Sequence, residues 1–198
     1  AFAKAGMNIL GIHLDRKSTL DNVKVLEEEI LSCDVHCKFF NVNAADEGKR
    51  KEILAEMDAQ IKGKVSVLFH SLAFGSLLPF IEPDAKNRLS KGQMDMTIDV
   101  MANSLVYWSQ DLAAGNYFAK GASVYAMTSA GSSRVWKSYG AVSAAKSALE
   151  SHCRQLALEL APMEVRVNAI LAGVTDTPAL RKIPGNESMI ETAKNRNP

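Results

Sequence analysis

Residues 65–70, VSVLFH, form a short and almost wholly apolar run, and the reading of this run decides the fold. A strand with one wet face alternates apolar and polar side chains, whereas a strand covered on both faces has no reason to alternate. Working outward, residues 122–128 (ASVYAMT) and 165–171 (VRVNAIL) repeat the pattern, and residues 8–14 (NILGIHL) and 35–42 precede it. Between these runs the apolar residues recur at helical spacing. Residues 18–31 predict a helix capped by Ser18, with Val23, Leu26 and Ile30 inward. Residues 45–61 predict a second with Ile53, Leu54 and Met57 inward, stopped at Gly63. Residues 94–118 predict a long helix with a weak point at Gly115, and residues 138–160 a further one. Strands alternating with helices predict an α/β protein, a doubly wound parallel sheet joined by right-handed crossovers.

In such sheets ligands bind beyond the carboxyl ends of the strands. Those ends fall at residues 14–16, 41–42, 71–73, 129 and 172–174. A Rossmann-like sheet ordinarily opens with a strand, a Gly-rich turn and a helix whose N-terminus holds a pyrophosphate. Here residues 1–6, AFAKAG, read as the last turn of that helix with Gly6 as its stop. The expectation is therefore a single dinucleotide-binding and catalytic domain over residues 1–198. It is read as an internal piece that lacks the first strand with its Gly-rich loop and the C-terminal end.

The 198 residues, 47% hydrophobic, suffice for one core, and a formal charge of +1 offers no electrostatic footprint for nucleic acid or an anionic membrane. No apolar run approaches the roughly 20 residues that span a bilayer. Cys33, Cys37 and Cys153 are odd in number and fit neither a disulfide framework nor a zinc site. They suit a reducing compartment, so a cytoplasmic location is expected, with no metal centre.

Tyr139 and Lys146 stand seven residues apart. On a helix that spacing is about 700°, close to two turns, so both side chains share one face about 10.5 Å apart along the axis. An ammonium near a phenol favours the ionised phenol, so the pair could work as a proton-donating centre, with Ser129 at a strand end ten residues earlier. The plain alternative is a surface lysine and a half-buried tyrosine that never meet.

Four stretches in order make the first reading the stronger one. Residues 69–75 (FHSLAFG), the Tyr139/Lys146 segment, residues 165–170 (VRVNAI) and residues 172–177 (AGVTDT) together resemble the short-chain dehydrogenase/reductase family. The resemblance is nearest to its enoyl-acyl-carrier-protein reductase branch. Ordinary members place the tyrosine four residues before the lysine, where this chain has Val142; the enoyl reductases place it seven before, as here.

The resemblance implies that Tyr139 donates to a substrate carbonyl oxygen and that Lys146 holds the nicotinamide ribose and supplies positive charge. Ser129 takes the place of the ordinary family's catalytic serine, which in many enoyl reductases is a second tyrosine. Asp99 stands where ordinary members carry asparagine. Asn41 and Val42 match the adenine contacts, Ser71, Leu72 and Ala73 the adjacent ribose, and Gly173, Val174, Thr175 and Thr177 the carboxamide loop. Asp15 favours the ribose hydroxyl of NAD(H), while Arg16 and Lys17 favour the phosphate of NADP(H); the balance leans to NADP(H). His70 and His36 are expected to be satisfied strand residues.

The expected function is NAD(P)H-dependent reduction of the double bond of an enoyl acyl thioester carried on acyl carrier protein or coenzyme A, in a homo-oligomer such as a tetramer. Reduction of a 3-oxoacyl thioester or other ketone is the alternative within the class. A non-catalytic nucleotide-binding or interaction protein is the alternative outside it.

Overall fold

A computed structural model describes residues 1–61, 63–177, 180–183 and 185–196. They form two compact units, Ala1–Gly63 and Lys64–Pro198. The first contains β1 (Ile9–His13), α1 (Leu20–Leu31), β2 (Cys37–Asn41) and α2 (Glu47–Gln60), with β1 and β2 paired in parallel from Ile9↔Cys37 to His13↔Asn41. The turn at Ala3–Ala5 closes on Gly6, whose φ of 78° is the left-handed stop read from the sequence. Helix α2 starts at Asp46, which caps the Lys49 N–H, and buries Ile53, Leu54 and Met57 as predicted. Helix α1 departs from expectation. A short helical turn, Lys17–Thr19, leads into it, Ser18 does not cap it, and Leu26 is exposed. The Thr19 hydroxyl goes to Asp15 instead.

The second unit contains β3 (Val65–His70), α3 (Lys91–Ile98), α4 (Ser104–Ala114), β4 (Phe118–Met127), α5 (Gly140–Leu160), β5 (Arg166–Ile170) and α6 (Asn186–Arg196). Its sheet runs β3–β4–β5, all parallel, with β4 in the centre. Ser123 and Val124 of β4 point to opposite faces and are both buried, as a strand covered on both faces requires, whereas in β3 Ser66 and Phe69 are exposed, so the covered-on-both-faces reading of residues 65–70 does not hold. Helix α5 buries a stripe of Ala141, Ala145, Leu149, Cys153, Leu156 and Leu160, which accounts for its small and apolar residues.

The long helix expected over 94–118 is broken up. Ser90 and Gln93 form a capping box that starts α3 at Lys91, and a π-helical turn, Asp99–Asn103, separates α3 from α4. Gly115 ends α4, and Phe118 already belongs to β4, where Val65 pairs with it before the register shifts. The shift falls across the stretch of β4 where Gly121 takes a left-handed φ of 73°. Helix α5 begins two residues later than expected, because Ser138 adopts a left-handed φ of 61° that no helix accommodates.

Candidate active site

Tyr139 is the N-cap of α5, held at the elbow between the left-handed Ser138 and the first helical turn. Its carbonyl accepts the Ser143 N–H at 2.8 Å, so its backbone belongs to the helix although its φ and ψ do not. Trp136 stands edge-on to its ring at 5.8 Å, and Met101, Val142 and Ala145 pack with it in one apolar cluster. The ring also lies against Gly131, where any Cβ would run into the phenol. Gly131 also donates its N–H to Ser129 Oγ at 3.1 Å, and Ser129 Oγ lies 3.3 Å from the Tyr139 hydroxyl. Either hydroxyl of this pair can donate to the other, so one of their two protons is left for a further acceptor. Helix α5 pins this loop from beneath: Ser143 donates to Gly131 O at 2.5 Å and Ser147 to Ser132 O at 3.1 Å.

Lys146 lies two turns along α5 and is 6% exposed. Its Nζ donates to Met127 O at 2.7 Å and Leu72 O at 3.2 Å, so one ammonium ties the ends of β4 and β3 to the helix. An ammonium has three donors, and these two bonds leave one to offer. Burial pulls its pKa down to about 8, with the Cys153 thiol pulling weakly the other way. It therefore still carries most of its charge at neutral pH. The structure thus brings Ser129, Tyr139, Lys146 and Leu72 together at the carboxyl ends of β3 and β4.

Ser71 and Ala73 are exposed on the extended segment after β3. Beyond β5, Gly173 has open space where a side chain would sit, and Thr175 donates to its carbonyl. The Thr177 hydroxyl accepts the Leu180 N–H at 3.1 Å, and Val174 is exposed. Asp99 accepts the Tyr107 hydroxyl at 2.8 Å, so it is a bonded helix carboxylate.

In the first unit, the Asn41 amide grips the Asp15 backbone twice, accepting its N–H at 2.9 Å and donating to its carbonyl at 3.0 Å. The Asp15 carboxylate is also engaged, by the Thr19 hydroxyl at 2.7 Å and His13 Nδ1 at 2.9 Å, and these bonds hold its pKa below the usual value. Val42 donates its N–H to His13 O at 2.8 Å. Arg16 and Lys17 are exposed and form no ion pair with a described residue. His13 and Thr19 were not singled out from the sequence; Thr at the fourth position after Asp was the available signal.

Two other readings of the sequence need adjusting. His70 is not a fully satisfied strand residue: Nε2 bonds Ser104 Oγ at 2.8 Å, but buried Nδ1 has no partner. His36 is exposed. Among the described residues no group of three His, Cys, Asp or Glu could hold a metal ion, and no helix is long and apolar enough to cross a membrane.

A parallel α/β sheet with serine, tyrosine and lysine gathered at its strand ends has the architecture of a short-chain dehydrogenase/reductase. Comparison with known proteins agrees. The family model described as enoyl-(acyl carrier protein) reductase matches residues 1–198. The enoyl-acyl-carrier-protein reductase (NADH) FabI of Enterococcus faecalis is 27% identical over 205 residues, covering 100% of this chain and 74% of its own length. The corresponding NADPH enzyme of Staphylococcus aureus is 27% identical over 139 residues, covering 69% of this chain and 52% of itself. The chain thus spans about half the length of the second relative. The solved enoyl reductase of Aquifex aeolicus superposes with a TM-score of 0.80 at 21% identity, covering 100% of this chain and 73% of that one. The Bacillus cereus enoyl reductase, solved with NADP+ and an indole naphthyridinone, gives 0.82 at 20% identity, with 100% and 74% covered. The chain belongs to the short-chain dehydrogenase/reductase family, near its enoyl-acyl-carrier-protein reductase branch.

Proposed function

We propose that this chain carries the catalytic part of an NAD(P)H-dependent reductase of enoyl acyl thioesters. The observation that carries the reading is a Tyr139 hydroxyl at the head of α5 beside Ser129, with a buried Lys146 ammonium two turns along the same helix that keeps one donor unspent; the seven-residue spacing is the one the resemblance assigns to enoyl reductases. The site's chemistry suits a dinucleotide: Lys146 has a donor for a ribose hydroxyl, and open space at Gly173 permits close backbone approach. Gly173, Val174, Thr175 and Thr177 would hold the nicotinamide end, and Ser71, Leu72 and Ala73 the neighbouring ribose. Asp15, Arg16, Asn41 and Val42 would serve the adenosine end. The bound nicotinamide supplies the hydride.

The residues of the chain do the rest. In a conjugated thioester the carbonyl oxygen lies two carbons from the hydride-accepting β-carbon, whereas a ketone oxygen is on the accepting carbon itself. Setting the tyrosine back one turn re-aims its hydroxyl toward the more distant oxygen. Tyr139 donates to that oxygen as negative charge builds on it, and the Lys146 charge stabilises the same oxyanion. The α-carbon of the resulting enolate then takes one proton from water, which completes the reduction. Arg16, exposed and without an ion pair among the described residues, favours the phosphate-bearing cofactor, whereas the Asp15 carboxylate already has two internal partners.

One contact favours a second reading. Ser129 Oγ lies 3.3 Å from the Tyr139 hydroxyl, and either can donate to the other, so a ketone oxygen drawn between them would meet two hydroxyl groups. Turnover of a crotonyl thioester against an acetoacetyl thioester, each with NADPH and NADH, separates the two. Faster crotonyl reduction supports the enoyl reading, and acetoacetyl reduction alone replaces it with the ketone reading. The same proposal includes acyl carrier protein or coenzyme A as carrier, a cytoplasmic location and self-association, which sedimentation equilibrium would check.

A further inference from the structure

The π-helical turn at Asp99–Asn103 changes which donor serves the Val100 carbonyl. The Ser104 N–H reaches back to Asp99 O, so Val100 O loses the amide that an α-helix would supply from that residue. The Ser104 hydroxyl replaces it, donating to Val100 O at 2.7 Å. A hydroxyl has one proton. At its other short contact, 2.8 Å from His70 Nε2, Ser104 Oγ must therefore accept and His70 must donate. This makes His70 the Nε2–H tautomer with a bare Nδ1, which matches the one buried side-chain atom without a partner among the described residues.

A buried acceptor with no partner costs stability, and an apolar side chain at residue 70 would avoid that cost. What the histidine offers in return is its donor, and the position of that donor shows its use. His70 is the last residue of β3, in register with Ala126, and two residues further on Leu72 O accepts the Lys146 ammonium. At the other end of the bond, the π-turn carries Met101, which packs with Tyr139, Val142 and Ala145. Gly75, just past the Leu72 anchor, fits against Met101, Thr97 and Val142 so closely that a Cβ would meet all three. Burial and the nearby Lys146 charge hold the His70 pKa down to about 4, so its ring is neutral under ordinary conditions.

We infer that His70 is a positioning residue whose Nε2–H, through Ser104, locks the π-turn to the end of β3, and so holds Met101 behind Tyr139 while Leu72 holds Lys146. The inference rests on the proposed reductase reading for its kinetic test only. In the intact protein, His70→Leu and Ser104→Ala should each lower turnover about tenfold, below the order of 10² that a 1 Å misplacement can cost. Cofactor should still bind both at full stoichiometry and unchanged affinity, which separates misplacement from loss of folded protein. His70→Gln, whose amide can donate from near the Nε2 position, should restore turnover to within about threefold of the parent, and the double variant should be no worse than His70→Leu alone. Long-range ¹H–¹⁵N spectra of the imidazole should show the Nε2–H tautomer in the parent and lose it on lowering the pH toward 4. A parent with Nδ1–H, a fully active His70→Leu, or a His70→Gln as impaired as His70→Leu would overturn the inference. If the parent reduces no acyl thioester, the reductase reading fails, and the tautomer measurement still decides whether the clamp exists.

Discussion

The strand ends of the two units use their polar groups in opposite ways. At the end of β1 and β2, Asp15, His13, Thr19 and Asn41 spend their hydrogen-bonding capacity on one another at a half-exposed edge. At the end of β3 and β4, Tyr139 and Lys146 are buried, and yet Lys146 keeps one donor and the Ser129–Tyr139 pair one hydroxyl proton uncommitted. Burial with spare donors is costly for stability and useful for chemistry, because a desolvated donor aimed at developing charge is worth far more than one in water. Internal pairing does the reverse: it holds strand ends together and leaves little for a ligand. On this comparison the second unit suits the proposed chemistry, and the first offers mainly the exposed cation of Arg16, which forms no ion pair with a described residue.

The largest test of the contrast is Tyr139→Phe. It removes a donor whose value lies in the transition state, so turnover should fall on the order of 10² to 10³, while cofactor affinity barely changes. Undiminished turnover on both enoyl and 3-oxoacyl thioesters would break the comparison at its strongest point.

The cost of burying Lys146 can be read from pH. Its pKa is lowered from 10.5 to about 8 by burial. Between those values the unfolded chain holds a proton that the folded chain has released, so stability should rise with pH across the window, by roughly 3 kcal/mol. Below pH 8 both states are charged and the full burial cost is present. Chemical denaturation at pH 7.5 and 10 should show the rise in the parent and not in Lys146→Met; equal slopes would mean the ammonium is better solvated than its contacts imply.

Asn41→Ala should cost about 1 kcal/mol of stability by freeing the Asp15 backbone, with little change in cofactor affinity. If affinity fell more than stability, Asn41 would be a ligand contact and the first unit would resemble the second. The smallest effect is expected for Arg16→Gln, which should raise the KM for NADPH roughly fivefold and leave that for NADH unchanged, as loss of one exposed charge pair implies.

Much of this was legible in the residue order. The near-continuous apolar runs 65–70 and 122–128 announced strands, and α5 was plain from its period, but only β4 is covered on both faces, since Ser66 and Phe69 of β3 are exposed. The spacing of Tyr139 and Lys146 was visible before any coordinate. The errors have local causes. The long helix over 94–118 was read straight through Asp99–Asn103, because residue types alone do not report where a backbone bond skips to the next residue. Ser138 is compatible with a helix by type, and only the surroundings force its left-handed φ. Leu26 has the right period for an inner face but is exposed in the unit described.

The sequence by itself determined the class of fold, the strand ends where ligands gather, and the identities of Ser129, Tyr139 and Lys146, because periods of two and 3.6 and fixed spacings are properties of neighbouring residues. Only the tertiary structure decided which partners consume which donors. Leu72 lies 74 residues from Lys146, Asn41 lies 26 from Asp15, and Ser104 lies 34 from His70. A side chain's spare capacity is what remains after such distant groups have taken their share, and no local pattern records that remainder.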